Sequence, residues 1–207
     1  LKRVITQEQR KMQKAREWYI LGQIMSLQGR HDEAYNAFRH VIRQNPPYEL
    51  VFNARIAMTE NITPATAQGK SVSKTKLKTL KRMARSGKNA DYLDQVYYAM
   101  GNILLADGDT ANAASAYEKG VKEAKRAGIE KGVLLLQLGN IYWETEKYSD
   151  ARRCYGEAIG LLDKDRDGYE ELDRRSAVLD ELCPHTETIH LQDSLQQWSR
   201  MRETDRN

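Results

Sequence analysis

The feature that most constrains this 207-residue sequence is a spacing of small and aromatic residues that occurs three times. In each case a glycine is followed by an alanine 12 residues later and by an aromatic residue 16 residues later. The three sets are Gly22, Ala34 and Phe38; Gly101, Ala113 and Tyr117; and Gly139, Ala151 and Tyr155. A glycine on one helix that faces an alanine on the next lets the two helices cross closely. A bulky residue at either position would lower the stability by about 1–3 kcal/mol. We expect the aromatic residue, one turn further on, to fill the space beyond the crossing.

Turn-forming residues lie between the two helices of each predicted pair. They are Gly29 with Arg30, Gly108 with Asp109, and Glu146 with Lys147. The composition agrees with a helical protein, because 30% of the residues are charged and only 4 are prolines.

The residues around the first set resemble the tetratricopeptide repeat (TPR). Trp18, Leu21, Met25 and Pro46 stand where that repeat has its tryptophan, leucine, tyrosine and proline, and only the tyrosine is replaced. The resemblance implies an all-α fold, a right-handed TPR solenoid of about five antiparallel helix pairs forming a single domain over 1–207. The predicted units are repeats at 15–47, 94–127 and 132–163, a degenerate repeat at 48–90 with an inter-helix loop at 59–75, and a C-terminal helix pair or cap at 169–203.

Local signals predict where helices begin and end. Asn45 precedes a proline and is therefore pushed out of helical geometry, which should end the preceding helix. Pro47 has the fixed φ that suits the opening of the next one. At the other end of the chain, Thr6 and Gln9 have the spacing of a capping box and should open the helix that carries Trp18.

Two sequence motifs suggest metal sites, and we interpret both as ordinary structure. The segment 163–174 begins like a calcium-binding loop, but Arg174 stands where such a loop needs a bidentate glutamate. A solvated turn before a helix N-terminus explains its acidic residues. Cys183, His185 and His190 have no fourth ligand at a zinc spacing. Cys154 and Cys183 are expected to be ordinary buried or half-buried thiols, with a redox state that the sequence does not define.

No phosphate-binding glycine loop and no nucleophilic arrangement is found, so we predict no enzyme, catalytic residue, metal, cofactor or small-molecule substrate. No apolar run approaches the roughly 18 residues of a membrane helix. The chain begins with Leu1, and we expect it to be part of a longer protein.

Positive charge is concentrated in one segment. The net charge is +4, yet residues 70–88 hold eight basic residues and no acidic one. The simplest interpretation is a helix that shows lysine to water; the alternative is a patch for an acidic protein partner, formed by Lys74, Lys78, Lys81, Arg82 and Arg85. Nucleic acid is less favoured, because the segment lacks interleaved aromatic residues.

A second group of candidates would line a concave groove formed by the first helices of the pairs. They are Tyr19, Gln23, Asn53, Tyr98, Asn102, Leu136, Asn140 and Trp143. Aromatic rings give rigid contact area, and amide side chains can bond the backbone of an extended peptide. The alternative for each residue is an ordinary soluble surface.

Three phrases carry a more specific resemblance: NPPYELVFNARI (45–56), KNADYLDQVYYAMGNI (88–103) and DSLQQWSRM (193–201). They resemble the TPR lipoproteins of the Bacteroidetes type IX secretion and gliding-motility machinery, of the SprE/PorW type. The likeness implies an internal domain of a periplasmic protein associated with the outer membrane, attached only through a lipid anchor outside this chain. It also implies assembly with other subunits of the secretion apparatus.

Three functions therefore stay open at this point. The first is a scaffold within a bacterial secretion machine. The second is a chaperone-like adaptor that captures extended peptides in the groove. The third, less favoured, is an RNA-binding helical array that uses the basic segment.

Overall fold

The computed structural model describes residues 2–63 and 70–200, which form ten α-helices, one short 3-10 turn and no β-strand. The helices are α1 (Lys2–Gln7), α2 (Lys11–Leu27), α3 (His31–Arg43), α4 (Tyr48–Glu60), α5 (Lys70–Ala84), α6 (Leu93–Ala106), α7 (Thr110–Glu123), α8 (Ile129–Glu144), α9 (Tyr148–Ile159) and α10 (Tyr169–Arg200). The all-α prediction is confirmed. The chain divides into two compact units, Leu1–Lys125 and Arg126–Asn207. One continuous domain over 1–207 stays a prediction.

The three helix pairs marked by the repeated spacing are α2 with α3, α6 with α7, and α8 with α9, and each pair packs closely. A Cβ atom on Gly22 would lie 2.7 Å from the ring of Phe38, and one on Gly139 would lie 2.6 Å from the ring of Tyr155. Tyr117 lies against Gly101 in the same way. The aromatic ring therefore packs directly on the glycine. From the sequence we expected the ring to lie beyond a contact between the glycine and the alanine.

The turn inside each pair has the same geometry. Gly29, Gly108 and Glu146 have φ values of +70°, +79° and +61°. In each turn the next residue's N–H bonds a carbonyl five residues back, as from Arg30 to Met25 at 2.9 Å. This is the Schellman ending of a helix, which requires one left-handed residue. The three predicted turns are confirmed, and Glu146 takes a conformation that glycine adopts at lower cost.

The double proline forms a corner between α3 and α4. Asn45 has a φ of +52°, just after the last turn of α3. Pro47 precedes Tyr48 with a φ of −50°. The prediction that these residues stop one helix and open the next is confirmed.

The predicted capping box is wrong. Thr6 lies inside α1, and α2 begins at Lys11 without a side-chain cap. The carboxylate of Glu8 instead accepts the backbone N–H of Arg10 at 2.8 Å, within the short break between α1 and α2. The Arg10 guanidinium also bonds Glu8 and holds the pKa of that carboxyl down at about 2.

The predicted loop at 59–75 is too long. Helix α4 continues to Glu60, and the Thr59 hydroxyl donates to the Ile56 carbonyl at 2.7 Å inside the helix. Helix α5 begins at Lys70, six residues before the predicted start at Lys76. Serine and threonine, taken as loop formers, are well tolerated in the first turn of a helix. Residues 64–69 lie outside the described part.

The second unit ends in one long helix where a helix pair or cap over 169–203 was predicted, so a pair is wrong, and a cap stays a prediction. Helix α10 runs from Tyr169 to Arg200 with Pro184 inside it. A single proline removes one backbone hydrogen bond, and residues 185–190 contain no glycine or asparagine that would favour a turn. Cys154 and Cys183 are both fully buried, as predicted. Residues 201–207, including Met201 of the predicted final helix, lie outside the described part.

Candidate functional site

Seven of the eight predicted groove residues lie on first helices of the three pairs, and the eighth, Asn53, lies on α4. Tyr19 and Gln23 are on α2, Asn53 is on α4, and Tyr98 and Asn102 are on α6, all in the first unit. Leu136, Asn140 and Trp143 are on α8 in the second unit. The structure thus divides the predicted groove into two sets of residues, one in each unit.

Gln23 and Asn53 are the two candidates that are most open to a partner. Both side chains are exposed. Neither makes a hydrogen bond with any other residue in the part of the chain that the structure describes. An exposed amide offers a donor and an acceptor at once, which suits the backbone of an extended segment.

Tyr19 and Tyr98 are half-buried and packed against the aromatic residues of their own pairs. The ring centroid of Tyr19 lies 5.4 Å from that of Phe38, edge to face. Tyr98 lies 6.1 Å from Tyr117. Burial, followed by the charge of Glu60, raises the pKa of the Tyr19 hydroxyl. Both rings are therefore partly exposed and are in contact with a buried aromatic ring of the same pair.

Asn102 and Asn140 already have partners within the chain. The Tyr117 hydroxyl donates to Asn102 Oδ1 at 2.7 Å, and the Tyr155 hydroxyl donates to Asn140 Oδ1 at 2.8 Å. In the first pair, Phe38 lacks a hydroxyl, and Gln23 stands at the position after the glycine that Asn102 and Asn140 occupy in the other two pairs. An asparagine therefore accompanies each tyrosine that packs on a glycine, and its role is to bond the buried hydroxyl.

Burial also keeps these hydroxyls protonated. It raises the pKa of Tyr117, to which Tyr98 contributes further, and it raises the pKa of Tyr155, where Arg175 opposes the shift. Asn102 additionally donates to the Thr59 hydroxyl of α4 at 3.3 Å. Both asparagines are thus part of the packing between helices.

Arg175 is a residue of this surface that the sequence did not indicate. From α10 it lies over the ring of Trp143 at 5.3 Å from the centroid, and its Nη1 is 3.5 Å from Asn140 Oδ1. Its Nε donates to Glu171 at 2.9 Å. Arg175 therefore covers part of Trp143, and Leu136 is half-buried as well. No sequence signal could have paired Arg175 with residues 32 and 35 positions earlier.

Comparison with protein families identifies the helix pair that occurs three times in the chain. The tetratricopeptide-repeat model matches residues 15–48, 94–126 and 133–161. The chain carries three tetratricopeptide repeats. Each match contains one of the glycine, alanine and aromatic sets. No curated protein shows a significant match to the sequence. TPR repeats are generally non-catalytic modules that bind other proteins, which indicates an interaction scaffold.

The basic residues of the predicted patch lie on α5 or just after it and are exposed. This holds for all five of the predicted patch, which are Lys74, Lys78, Lys81, Arg82 and Arg85. Lys76 is different, because it is half-buried and its ammonium lies 4.9 Å from the centroid of the Tyr35 ring.

One of the two motifs that resemble metal sites has a structural explanation. Asp163 accepts the backbone N–H of Asp165 at 3.1 Å in the turn before α10, and Glu170 and Glu171 occupy the first turn of that helix. Among the described residues, no three acidic, histidine or cysteine side chains are grouped to hold a metal ion. The side chain of His190 is not among them. Within the same residues, no helix is both long and apolar enough to cross a membrane.

Proposed function

We propose that this protein is a non-catalytic scaffold that binds a partner protein through one surface of its first unit. This surface, the first-helix face, carries Gln23 of α2 and Asn53 of α4. The observation that carries the proposal is the exposure of Gln23 and Asn53, whose amides are unpaired in the described part of a TPR array. The rings of Tyr19 and Tyr98 lie on α2 and α6 of the same unit. A partner segment would gain amide hydrogen bonds from the first two residues and rigid contact area from the rings.

We further propose that the partner is another subunit of a bacterial type IX secretion or gliding apparatus. The support is the resemblance of residues 45–56, 88–103 and 193–201 to TPR lipoproteins of that machinery. On this proposal the parent protein is periplasmic, and a lipid anchor outside this chain attaches it to the outer membrane. The role is assembly, in which affinity for one defined subunit is required.

A chaperone-like adaptor is the second candidate, and the same two amides favour it. Amide groups bond a peptide backbone whatever its side chains are, so Gln23 and Asn53 could also hold unrelated extended clients. The two proposals differ in how many proteins the surface captures.

Site-specific photo-crosslinking separates these functions. A photoreactive phenylalanine analogue replaces Asn53 in one sample, Gln23 in a second and the exposed Lys119 of α7 in a control. Extracts of the native organism are irradiated and the adducts identified by mass spectrometry. A scaffold gives one dominant adduct at positions 53 and 23, and an adaptor gives many unrelated adducts. Equal labelling from position 119 would contradict both functions.

A further inference from the structure

The degenerate repeat contains an open cleft in place of a tight helix crossing. Helix α5 packs on α6, while α4 packs on α3 and α6. Helix α4 has no glycine and α5 has no aromatic residue, so the glycine–aromatic contact that closes the other three pairs cannot form. A cleft of about 200 Å³ lies between α4 and α5 within the first unit.

The walls of the cleft are mainly apolar. They come from four helices and include Ile42 of α3, Met58 of α4, Leu80 and Met83 of α5, and Ile103 of α6. Methionine side chains adapt to differently shaped partners. The volume is below the roughly 300–1,000 Å³ of small-molecule pockets. It therefore suits one large apolar side chain.

The charged groups at the cleft are all positive in the described part. Arg55 and Lys76 line it, and no acidic residue does. Lys78 and Arg82 each follow a lining threonine, Thr75 or Thr79, by three residues. Residues three apart are neighbours on a helix surface, so each of these exposed cations lies one turn from a residue that lines the cleft.

These cations are also available. Within the described residues, Arg55, Lys78 and Arg82 form no ion pair. An apolar depression lined by two cations, with further exposed cations on the same helix, is complementary to an apolar side chain that is flanked by carboxylates. RNA fits less well, because α5 offers no aromatic ring for base stacking.

We propose that the α4–α5 cleft binds a single large apolar side chain from an acidic segment of the partner protein. Flanking carboxylates pair with Arg55, Lys76, Lys78 and Arg82. The inference rests on the proposed scaffold function and gives the partner's chemistry. The site is separate from Gln23 and Asn53, so the two surfaces can be tested independently.

The test uses nuclear magnetic resonance of the whole chain with labelled methionine and isoleucine methyl groups. The probe is a nine-residue peptide of aspartate and glutamate with one central phenylalanine, and its matched control has alanine at the centre. The phenylalanine peptide is expected to shift the methyl signals of Ile42, Met58, Met83 and Ile103, but not that of Ile24 on α2. The alanine peptide should bind about 10- to 100-fold more weakly.

Two variants separate the apolar contact from the charged one. Thr79→Trp places a ring in the cleft and should abolish the shifts at Met58 and Met83. The double variant Lys78→Glu with Arg82→Glu should weaken binding about tenfold. Its control, Lys119→Glu with Lys122→Glu on α7, makes the same change of charge elsewhere and should have no effect.

Three results would overturn the proposal. One is equal affinity for the phenylalanine and alanine peptides. Another is tighter binding of single-stranded poly-uridine RNA or of anionic phospholipid vesicles, lost in the same Lys78 and Arg82 variant. The third is unchanged affinity of the Thr79→Trp protein for a partner identified by crosslinking at Asn53. That result would refute the cleft as a binding site but would not contradict the scaffold function.

Discussion

The contact between glycine and aromatic ring can be tested by adding one carbon atom. In Gly139→Ala, the new Cβ would lie 2.6 Å from Cε1 of Tyr155 and 3.3 Å from Cβ of Cys154. The ring cannot easily move away, because Tyr155 is fully buried and its hydroxyl is bonded to Asn140. The substitution therefore overpacks the crossing.

Gly156→Ala is a matched control in the same unit. Gly156 is exposed on α9, and no atom lies within 4 Å of the added Cβ. Both substitutions gain up to about 1 kcal/mol of helix propensity, and only Gly139→Ala also pays about 1–3 kcal/mol for overpacking. We expect the Gly156→Ala protein to be more stable than the unsubstituted protein. The Gly139→Ala protein should be less stable than the Gly156→Ala protein by about 1–3 kcal/mol.

Urea unfolding followed by circular dichroism measures both variants, with equal slopes required for the comparison. Adding Tyr155→Leu to Gly139→Ala should recover part of the loss, since it removes the ring that the new Cβ meets. Equal stabilisation by the two alanine substitutions would refute the packing that we describe.

Three further predictions concern the turns, one histidine and one buried hydroxyl. Glu146→Gly should raise the free energy of unfolding by about 1 kcal/mol, because glycine adopts a φ of +61° without the side-chain cost; no gain in urea unfolding would contradict the left-handed turn. Burial, followed by Arg43 and Arg39, lowers the pKa of His40 below 6.5. As the pH falls, His40 is therefore protonated in the unfolded chain before it is protonated in the folded protein. The free energy of unfolding should decrease as the pH drops below 6.5, and less steeply in His40→Gln. Tyr155→Phe should cost about 1 kcal/mol in thermal unfolding through the lost bond to Asn140, and an unchanged melting temperature would count against that bond.

Local spacing predicted most of the helix pairs. A glycine and an aromatic residue 16 positions apart are sufficient to place two helices and the turn between them, because all the interactions lie within about 30 residues. The left-handed turns at Gly29 and Gly108 follow from the same local signals. Asn45 ended α3 for a reason visible in its neighbour, a proline.

Features that depend on distant contacts or on a balance of small terms were missed. Pro184 did not end α10, although a proline removes one hydrogen bond; most of the described side chains that follow it are exposed, so burial does not account for the continuation. The cleft beside α5 arises from the absence of a glycine and a ring, which a consensus search does not reveal. The partners of Asn102 and Asn140 became clear only when the tyrosine hydroxyls were placed.

The most direct test of the scaffold proposal is to place charge on the first-helix face and to measure the affinity for the partner identified by crosslinking. Calorimetry gives that affinity. The variant combines Gln23→Arg with Asn53→Arg, both at exposed positions, and Lys119→Glu with Lys122→Glu is the surface control. The proposal predicts that the first variant loses at least about tenfold in affinity, or 1.4 kcal/mol, while the control and both melting temperatures stay unchanged. Full affinity in the Gln23 and Asn53 variant would contradict binding through this face.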